Sequence, residues 1–230
     1  MATQFWYSWP WMGLGICLTV LVLMFGTNVL RSSTSISRWR DPAWFAWFPV
    51  VTYTAHQFEE YSFHITDGQY DLVRFVTTSG VLPFDLTNLP AAHFPVVNIL
   101  LAWFVAPLAA LLARRNPVIG FSLFGFMLFN GITHITGGFD PSQNPGVVTG
   151  TLLFIPGTVW MIVLCLRGHV MSRAGLAVTL GAGILAHVIF FRVYALAPLG
   201  PVAVLAGDVV AVFLPLALAW LGCRLFRIAA

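Results

Sequence analysis

Seven long apolar stretches, separated by short polar segments, divide this chain of 230 residues. Each stretch is close to the roughly 20 residues that a helix needs to cross the hydrocarbon core of a bilayer. The pattern predicts an all-α fold, a polytopic membrane helix bundle that forms a single transmembrane domain. The seven predicted transmembrane helices cover residues 11–30, 43–63, 94–113, 117–137, 147–166, 174–195 and 201–221, with an extramembrane loop at residues 64–93.

Composition agrees with a lipid environment. Hydrophobic residues make up 59% of the chain and charged residues only 8%. A soluble domain carries roughly a quarter charged residues, so the composition excludes that class. The formal net charge of +3 fits a surface that faces anionic lipid headgroups and does not indicate nucleic-acid binding. Membrane lipids are therefore the expected partners.

The distribution of arginine predicts the orientation of the chain, which contains no lysine. Short cytoplasmic loops are enriched in positive charge. Nine of the arginines fall on one side of the predicted topology: Arg31, Arg38, Arg40, Arg114, Arg115, Arg167, Arg173, Arg224 and Arg227. The N-terminus is thus expected outside and the C-terminus in the cytoplasm, in a multi-pass protein of a bacterial inner membrane.

The run His56-Gln57-Phe58-Glu59-Glu60, followed by His64, lies within or at the end of the second predicted helix. Ionisable side chains in a membrane are costly, and they usually face the protein interior and mark a functional site. On a helix, His56, Glu59, Glu60 and, one turn further, His64 can line one face.

Polar residues of other predicted helices lie at a similar depth, in the half of the membrane opposite the arginine-rich loops. They are Asn98, Asn130, His134, His187 and Asp208. Isolated structural polar residues have no reason to share a depth, whereas groups that converge on one cavity must share it. The sequence therefore predicts an outer-leaflet pocket of histidine and glutamate.

Residue chemistry suggests a role for each member of this pocket. Imidazole and carboxylate groups are common ligands of zinc and iron. The predicted metal ligands are His56, Glu60, His134, His187 and His64, with Zn or Fe as the possible cofactor. Glu59, Glu60 and Asp208 are the predicted catalytic acids or bases, because burial raises the pKa of carboxyl groups toward neutral pH. Tyr53, Asn98 and Asn130 are the predicted substrate-binding residues.

Structural explanations remain open for each group. The cluster could join helices by hydrogen bonds alone, which are worth only about 1 kcal/mol each in membranes. Asp208 could pair with Arg192. His93 and His169 are predicted to be solvated in loops or interfaces, and His64 lies at the water boundary.

The five-residue run resembles the defining element of the HXXEE-motif integral membrane protein family, whose function is uncharacterised. The resemblance covers roughly residues 43–165. Members of that family also carry a further histidine and a Tyr-x-Pro-Gly element, which His134 and Pro145-Gly146 match here. The tyrosine of that element is replaced by Gln143, which puts any role of a tyrosine hydroxyl in doubt. The resemblance implies a site but no reaction.

The leading functional prediction is an integral-membrane enzyme that acts on a lipophilic small molecule entering from the bilayer. In one mechanism, a metal activates water or oxygen, giving a hydrolase or oxygenase. In the alternative, a buried glutamate protonates an alkene or epoxide, giving an isomerase or terpenoid cyclase. A proton or metal-ion transporter is the second alternative. The loop at residues 64–93 could form a lid over the pocket.

Overall fold

The computed structural model describes residues 2–62, 71–78, 80, 82–139 and 144–228. Over these residues the regular secondary structure is helical, with no strand. The helices are α1 (Ala2–Gly26), α2 (Pro42–Phe45), α3 (Phe48–Ser62), α4 (Asp71–Thr78), α5 (His93–Leu112), α6 (Pro117–Thr136), α7 (Val147–Gly168), α8 (Arg173–Leu199) and α9 (Pro201–Leu225).

Among the described residues, six helices are long and apolar enough to cross a membrane, namely α1 and α5 to α9. Many large apolar side chains on these helices point outward, as expected where lipid is the solvent; Val22, Phe104 and Val210 are each at least 60% exposed. The chain is thus an all-helical, multi-pass membrane protein.

The predicted helix at residues 43–63 is divided into α2 and α3. Asp41, which is fully buried, begins α2, since its side chain accepts hydrogen bonds from the backbone N–H groups of Ala43 and Trp44. The chain turns at Ala46 and Trp47 before α3 begins. Eleven of the 15 residues of α3 are buried, so this short helix lies inside the bundle.

The segment between α3 and α5, predicted as a loop, contains α4. Leu72, Phe75 and Val76 of α4 belong to a hydrophobic cluster that also includes Tyr61 and Phe94. Residues 63–70 lie outside the described part of the chain, so His64, a predicted metal ligand, lies there as well. The described part of the predicted lid packs over one end of the bundle.

Two transmembrane helices contain a π-helical segment shortly before a proline. Leu100–Val105 precedes Pro107 in α5, and Gly150–Phe154 precedes Pro156 in α7. Proline has no N–H to donate and its ring crowds the preceding turn, so local widening of the helix there is expected. The π segment of α7 directly follows Thr149, which is part of the site described below.

Glycines allow α6 and α8 to pack closely. A Cβ atom at Gly183 of α8 would overlap the carbonyl oxygen of Ser122 and the backbone nitrogen of Phe126. Conversely, a Cβ atom at Gly125 of α6 would overlap the backbone of Leu180. Such contacts between small residues replace the hydrophobic driving force that is absent between helices in lipid. They hold the two helices that carry His134 and His187.

We expect Gly183→Val to separate α6 from α8 and to lower the free energy of unfolding by about 1–3 kcal/mol, since the added atoms overlap backbone that cannot move aside. Thermal unfolding in detergent measures this change. Gly181→Val is the matched control, because a Cβ atom at Gly181 meets nothing within 4 Å. Equal melting temperatures for the two variants would contradict the packing described here.

Candidate metal centre

Three potential ligand atoms converge between α3 and α6. The Nε2 atom of His56 lies 3.2 Å from Oε1 of Glu60, and Nε2 of His134 lies 3.4 Å from the same oxygen. Glu60 follows His56 by one helical turn, so both side chains of α3 point to the same side. All three ligand atoms lie within 4.8 Å of one another. His56 and Glu60 are buried, and His134 is partly buried.

Two of the three separations, those from Glu60 Oε1, match the ligand spacing of a four-coordinate zinc site. Zinc–ligand bonds of about 2.0–2.1 Å in a tetrahedron place neighbouring ligand atoms about 3.3 Å apart. The two distances from Glu60 Oε1 to the imidazole nitrogens are 3.2 Å and 3.4 Å. An ion could therefore be held with little movement of Glu60 relative to either histidine.

The other ring nitrogen of His56 is already committed. Its Nδ1 atom lies 2.7 Å from Oγ1 of Thr149. The Thr149 hydroxyl in turn donates to Oε2 of Glu59 at 2.5 Å. Because the single hydroxyl proton is used in that bond, Oγ1 acts as an acceptor toward His56, and Nδ1 carries the ring proton. The Nε2 atom of neutral His56 is then left with a lone pair.

His134 is oriented in the same way by Asn144. The Nδ2 group of Asn144 donates to the backbone carbonyls of His134 and Gly138, both at 2.6 Å. These two bonds identify the remaining amide atom, Oδ1, which lies 3.0 Å from Nδ1 of His134. Since an amide oxygen only accepts, Nδ1 is the donor, and Nε2 of His134 also presents a lone pair.

Two imidazole lone pairs and a carboxylate oxygen therefore face one another in a buried space. The Nε2 atom of His56 satisfies no hydrogen bond among the described residues, although it is close to Glu60. Facing acceptors repel each other unless a cation lies between them, and the cation is either a proton or a metal ion. Outer partners that fix the ring orientation of ligating histidines are a regular feature of metal sites.

The adjacent glutamates have different environments. The Glu59 carboxylate accepts hydrogen bonds from the backbone N–H groups of Gly146, Val148 and Thr149 and from the Thr149 hydroxyl. It thus satisfies the free N–H groups at the N-terminus of α7, where negative charge is favourable. Glu60 faces the histidines instead. The predicted catalytic role of Glu59 stays a prediction, but its oxygens are occupied by this capping interaction.

Gly146 allows α7 to begin beside both histidines. Its φ of +97° is in the left-handed region that favours glycine. A Cβ atom there would lie 2.6 Å from Cε1 of His134 and 2.7 Å from Cε1 of His56. Gly146 also donates its N–H to Glu59. The Pro-Gly element is therefore part of the wall of the site.

The three-residue group opens onto a cavity of about 190 Å³. Most of the sequence-predicted residues line it, namely Tyr53, His56, Glu60, Asn98, Asn130, His134 and His187. The structure therefore brings these residues together around one cavity, while the role predicted for each stays a prediction. Large apolar side chains form the remaining walls, among them Phe75, Phe94, Phe126, Phe190 and Phe191.

His187 lines the cavity but does not belong to the three-residue group. Its Nε2 atom lies 3.2 Å from Nδ2 of Asn130, an amide donor, so its accepting nitrogen is already used. Its ring packs among Phe126, Phe129 and Phe191. The predicted role of His187 as a ligand stays a prediction, and among the described residues the candidate metal group consists of His56, Glu60 and His134.

The predicted substrate-binding residues differ in how far they are committed. Asn98 donates to the hydroxyl of Tyr61 and to the carbonyl of Phe94. The hydroxyl of Tyr53 is buried and has no hydrogen-bond partner among the described residues. An unsatisfied buried hydroxyl in a cavity wall can bind a polar group of a ligand, since leaving it unpaired is costly.

Asp208 contacts His93 and not Arg192. The Oδ1 atom of Asp208 lies 2.9 Å from Nδ1 of His93, and Arg192 is exposed. The prediction that His93 is solvated at an interface is wrong, since His93 is only 1% exposed and lines the cavity. The sequence predicts His93 at the end of an extramembrane loop at residues 64–93. In the structure it is the first residue of α5, and its side chain is therefore buried. His169 is exposed, as predicted.

Sequence reasoning also missed Thr149 and Asn144, which orient the two histidines. Both are neutral polar residues near the Pro-Gly element, one on each side of it. That proximity was the available signal, but threonine and asparagine near a helix start are usually explained as capping residues. Only the three-dimensional arrangement shows that they contact imidazole rings.

We expect Gly146→Ala to abolish zinc binding, because its methyl group would displace both imidazole rings, and elemental analysis of the purified protein measures this. Gly200→Ala is the matched control. Gly200 directly precedes α9, has a φ of +96° and meets nothing within 4 Å, so the control carries only the backbone strain of about 1–2 kcal/mol. Zinc binding that survives in Gly146→Ala, or that is lost equally in both variants, would contradict the role of Gly146.

Comparisons with known proteins give a family and no function. Searches of curated proteins and of solved structures found no match. A family model described as a protein of unknown function with an HXXEE motif matches residues 47–161. This match covers α3, α6 and most of α7, and so it includes every residue of the three-atom group and the partners that orient it. The chain belongs to the HXXEE-motif family of unknown function.

Proposed function

We propose that this protein is a membrane-embedded, zinc-dependent hydrolase of a lipophilic substrate. The observation that carries the proposal is the convergence of the lone pairs of His56 and His134 on Oε1 of Glu60, with both Nδ1 atoms engaged elsewhere. Three protein ligands with room for water or substrate in the fourth position are typical of catalytic zinc sites.

Each residue of the site has a specific task in this proposal. His56, Glu60 and His134 would hold the ion. A bound zinc ion lowers the pKa of a coordinated water to about 7 and polarises a carbonyl oxygen. Thr149 and Asn144 fix the imidazole rings, and Glu59 anchors Thr149 to the start of α7. Such outer contacts typically contribute a factor of about 10–100 in metal affinity.

The cavity walls support a lipophilic substrate. Phenylalanine and leucine side chains surround the polar group, and the helices that bear them are apolar on their outer surfaces as well. A substrate dissolved in the bilayer could therefore reach the site without crossing a polar surface. The unpaired Tyr53 hydroxyl is suited to a carbonyl oxygen, which it can hold by donating a hydrogen bond.

We expect the N-terminus outside, the C-terminus in the cytoplasm and the cavity in the outer leaflet, with α3 as a seventh, shorter membrane helix. Most arginines, including Arg114 and Arg173, then lie on the cytoplasmic side. A C-terminal fusion to alkaline phosphatase, expressed in a bacterium, tests the orientation. The fusion should be inactive, because the enzyme matures only outside the cytoplasm. A fusion after Gly138 should be active, and the reverse pattern would contradict this topology.

We expect the purified protein to retain about one zinc ion per chain, and His56→Ala, His134→Ala and Glu60→Gln to retain less than about 0.2, because each removes a ligand atom. Elemental analysis after dialysis measures the stoichiometry. Glu59→Gln should keep a weakened site, with metal affinity lower by about 10–100-fold. His169→Ala, which changes an exposed histidine, is the matched control and should resemble the wild type.

Activity completes the test. Hydrolysis of medium-chain octanoate esters in lipid nanodiscs should be lost on chelation and restored by zinc. Retention of iron, with oxygen-dependent turnover, would instead favour an oxygenase built on the same ligands. A purified protein without metal, whose metal content does not change in His56→Ala and His134→Ala, would refute the metal centre. It would favour acid–base isomerisation or cyclisation by Glu60. Zinc uptake into proteoliposomes without hydrolysis would favour a transporter.

A further inference from the structure

A second pair of ionisable side chains lies at another wall of the same cavity. His93 begins α5, and Asp208 lies in the first half of α9. Their Nδ1 and Oδ1 atoms are 2.9 Å apart, and the two residues are 1% and 0% exposed. His93 lines the cavity together with His56, Glu60 and His134. The cavity therefore has a polar group on two of its walls.

The contact with Asp208 determines which nitrogen of His93 is available. A carboxylate can only accept, so Nδ1 of His93 donates to Oδ1 of Asp208. The Nε2 atom then carries a lone pair in neutral histidine and a proton in the imidazolium form. An adjacent carboxylate stabilises the imidazolium and keeps the ring in one orientation. This arrangement suits a residue that accepts and returns a proton at Nε2.

Packing holds the ring of His93 in place. It stacks on Phe190 with an interplanar angle of 3° and a centroid distance of 6.0 Å. Its edges contact Phe94 and Tyr194 at centroid distances of 5.0 Å and 4.8 Å. A ring that is fixed by three aromatic neighbours and one carboxylate can present Nε2 to a ligand without losing further side-chain entropy.

We propose that His93 is the proton-transfer residue of this cavity, that Asp208 is its positioning residue, and that the substrate is an amphipathic carboxylic ester with an aliphatic alcohol as its leaving group. The proposal rests on the proposed hydrolase function. It adds a residue from α5 that lies outside the three-atom group, and it specifies the bond that is broken.

The proton balance of the reaction explains why such a residue is needed. The oxygen of water forms the new bond to the acyl carbon, and the bond between that carbon and the alkoxy oxygen breaks. An aliphatic alkoxide is a poor leaving group and must gain a proton as it departs. Protonated His93 supplies that proton from Nε2 as the bond breaks, and it regains one from the next water that ionises in the site after the products leave. Over one cycle, ester and water give a carboxylic acid and an alcohol.

A purely structural role makes a different prediction. The pair joins α5 to α9 and could act only as a link between helices, as other buried polar contacts in membrane proteins do. Loss of such a link would reduce the amount of folded protein, but it would affect every substrate equally. Loss of a proton donor affects a substrate only to the extent that its leaving group needs the proton.

Comparison of two octanoate esters separates these roles. Zinc-loaded protein in nanodiscs is assayed with 4-nitrophenyl octanoate, whose leaving group departs without a proton, and with hexyl octanoate, whose leaving group needs one. We expect His93→Gln to lower kcat for the hexyl ester by about 100-fold or more and kcat for the nitrophenyl ester by less than about fivefold. Asp208→Asn should show the same selectivity with a smaller loss, and the zinc content of both variants should be unchanged.

Thr158→Val is the matched control for a lost buried contact between helices. Thr158 is fully buried, donates to the carbonyl of Phe124 and does not line the cavity. This variant should lower both rates equally or leave both unchanged. Partial recovery of hexyl ester hydrolysis when imidazole is added to His93→Gly would support the proposal further. Equal loss for both esters in His93→Gln would overturn the proposal while leaving the hydrolase function intact.

A zinc-loaded wild type that hydrolyses neither ester would overturn the proposed function instead. The proton-transfer role is then decided by octanohydroxamic acid, which binds zinc without turnover and releases a proton as it does so. We expect His93→Gln to weaken its binding, measured by calorimetry, by about tenfold, because the proton acceptor is lost. Unchanged affinity in that variant, with zinc bound, would overturn the role of His93 as well.

Discussion

The site depends on one electrostatic constraint, namely that three atoms able to accept hydrogen bonds face one another in a buried space and need a cation between them. His56 and His134 each give the proton of Nδ1 to an oxygen atom outside the cluster, so their Nε2 lone pairs face Oε1 of Glu60. Such an arrangement is unfavourable in a buried site unless a cation is bound. The surrounding helices are placed so that this arrangement is maintained, which is why we interpret it as a metal centre.

The motif residues are coupled across three helices. Glu59 satisfies the N-terminus of α7 and holds Thr149, and Thr149 in turn holds His56. Gly146 permits α7 to start against the two imidazole rings. The five-residue motif, the further histidine and the Pro-Gly element thus serve one structure. His56 and Glu60 supply potential ligand atoms, whereas Glu59 binds Thr149, which in turn orients His56.

The class of fold and much of the site could be predicted from the sequence. The length of an apolar stretch, and the depth of a polar residue within it, can be determined for each helix separately. The break between α2 and α3 and the presence of α4 were missed, since each depends on packing against other helices. The different roles of Glu59 and Glu60 could not be predicted either. The two residues are neighbours on one helix, and their roles depend on which other helices contact them: α7 contacts Glu59, and the two histidines contact Glu60. His93 was misplaced for the same reason: its partner, Asp208, is 115 residues away.

X-ray absorption spectroscopy of the purified protein tests the central claim most directly, because it reports the atoms bound to the metal and their distances. The account predicts zinc with two imidazole nitrogens and one carboxylate oxygen at about 2.0–2.2 Å, and a fourth light atom from water. In His56→Ala and His134→Ala the zinc signal should fall with the metal content, and any remaining ion should have fewer imidazole nitrogens in its shell. A shell of oxygen atoms without imidazole, or a spectrum that these substitutions leave unchanged, would contradict it.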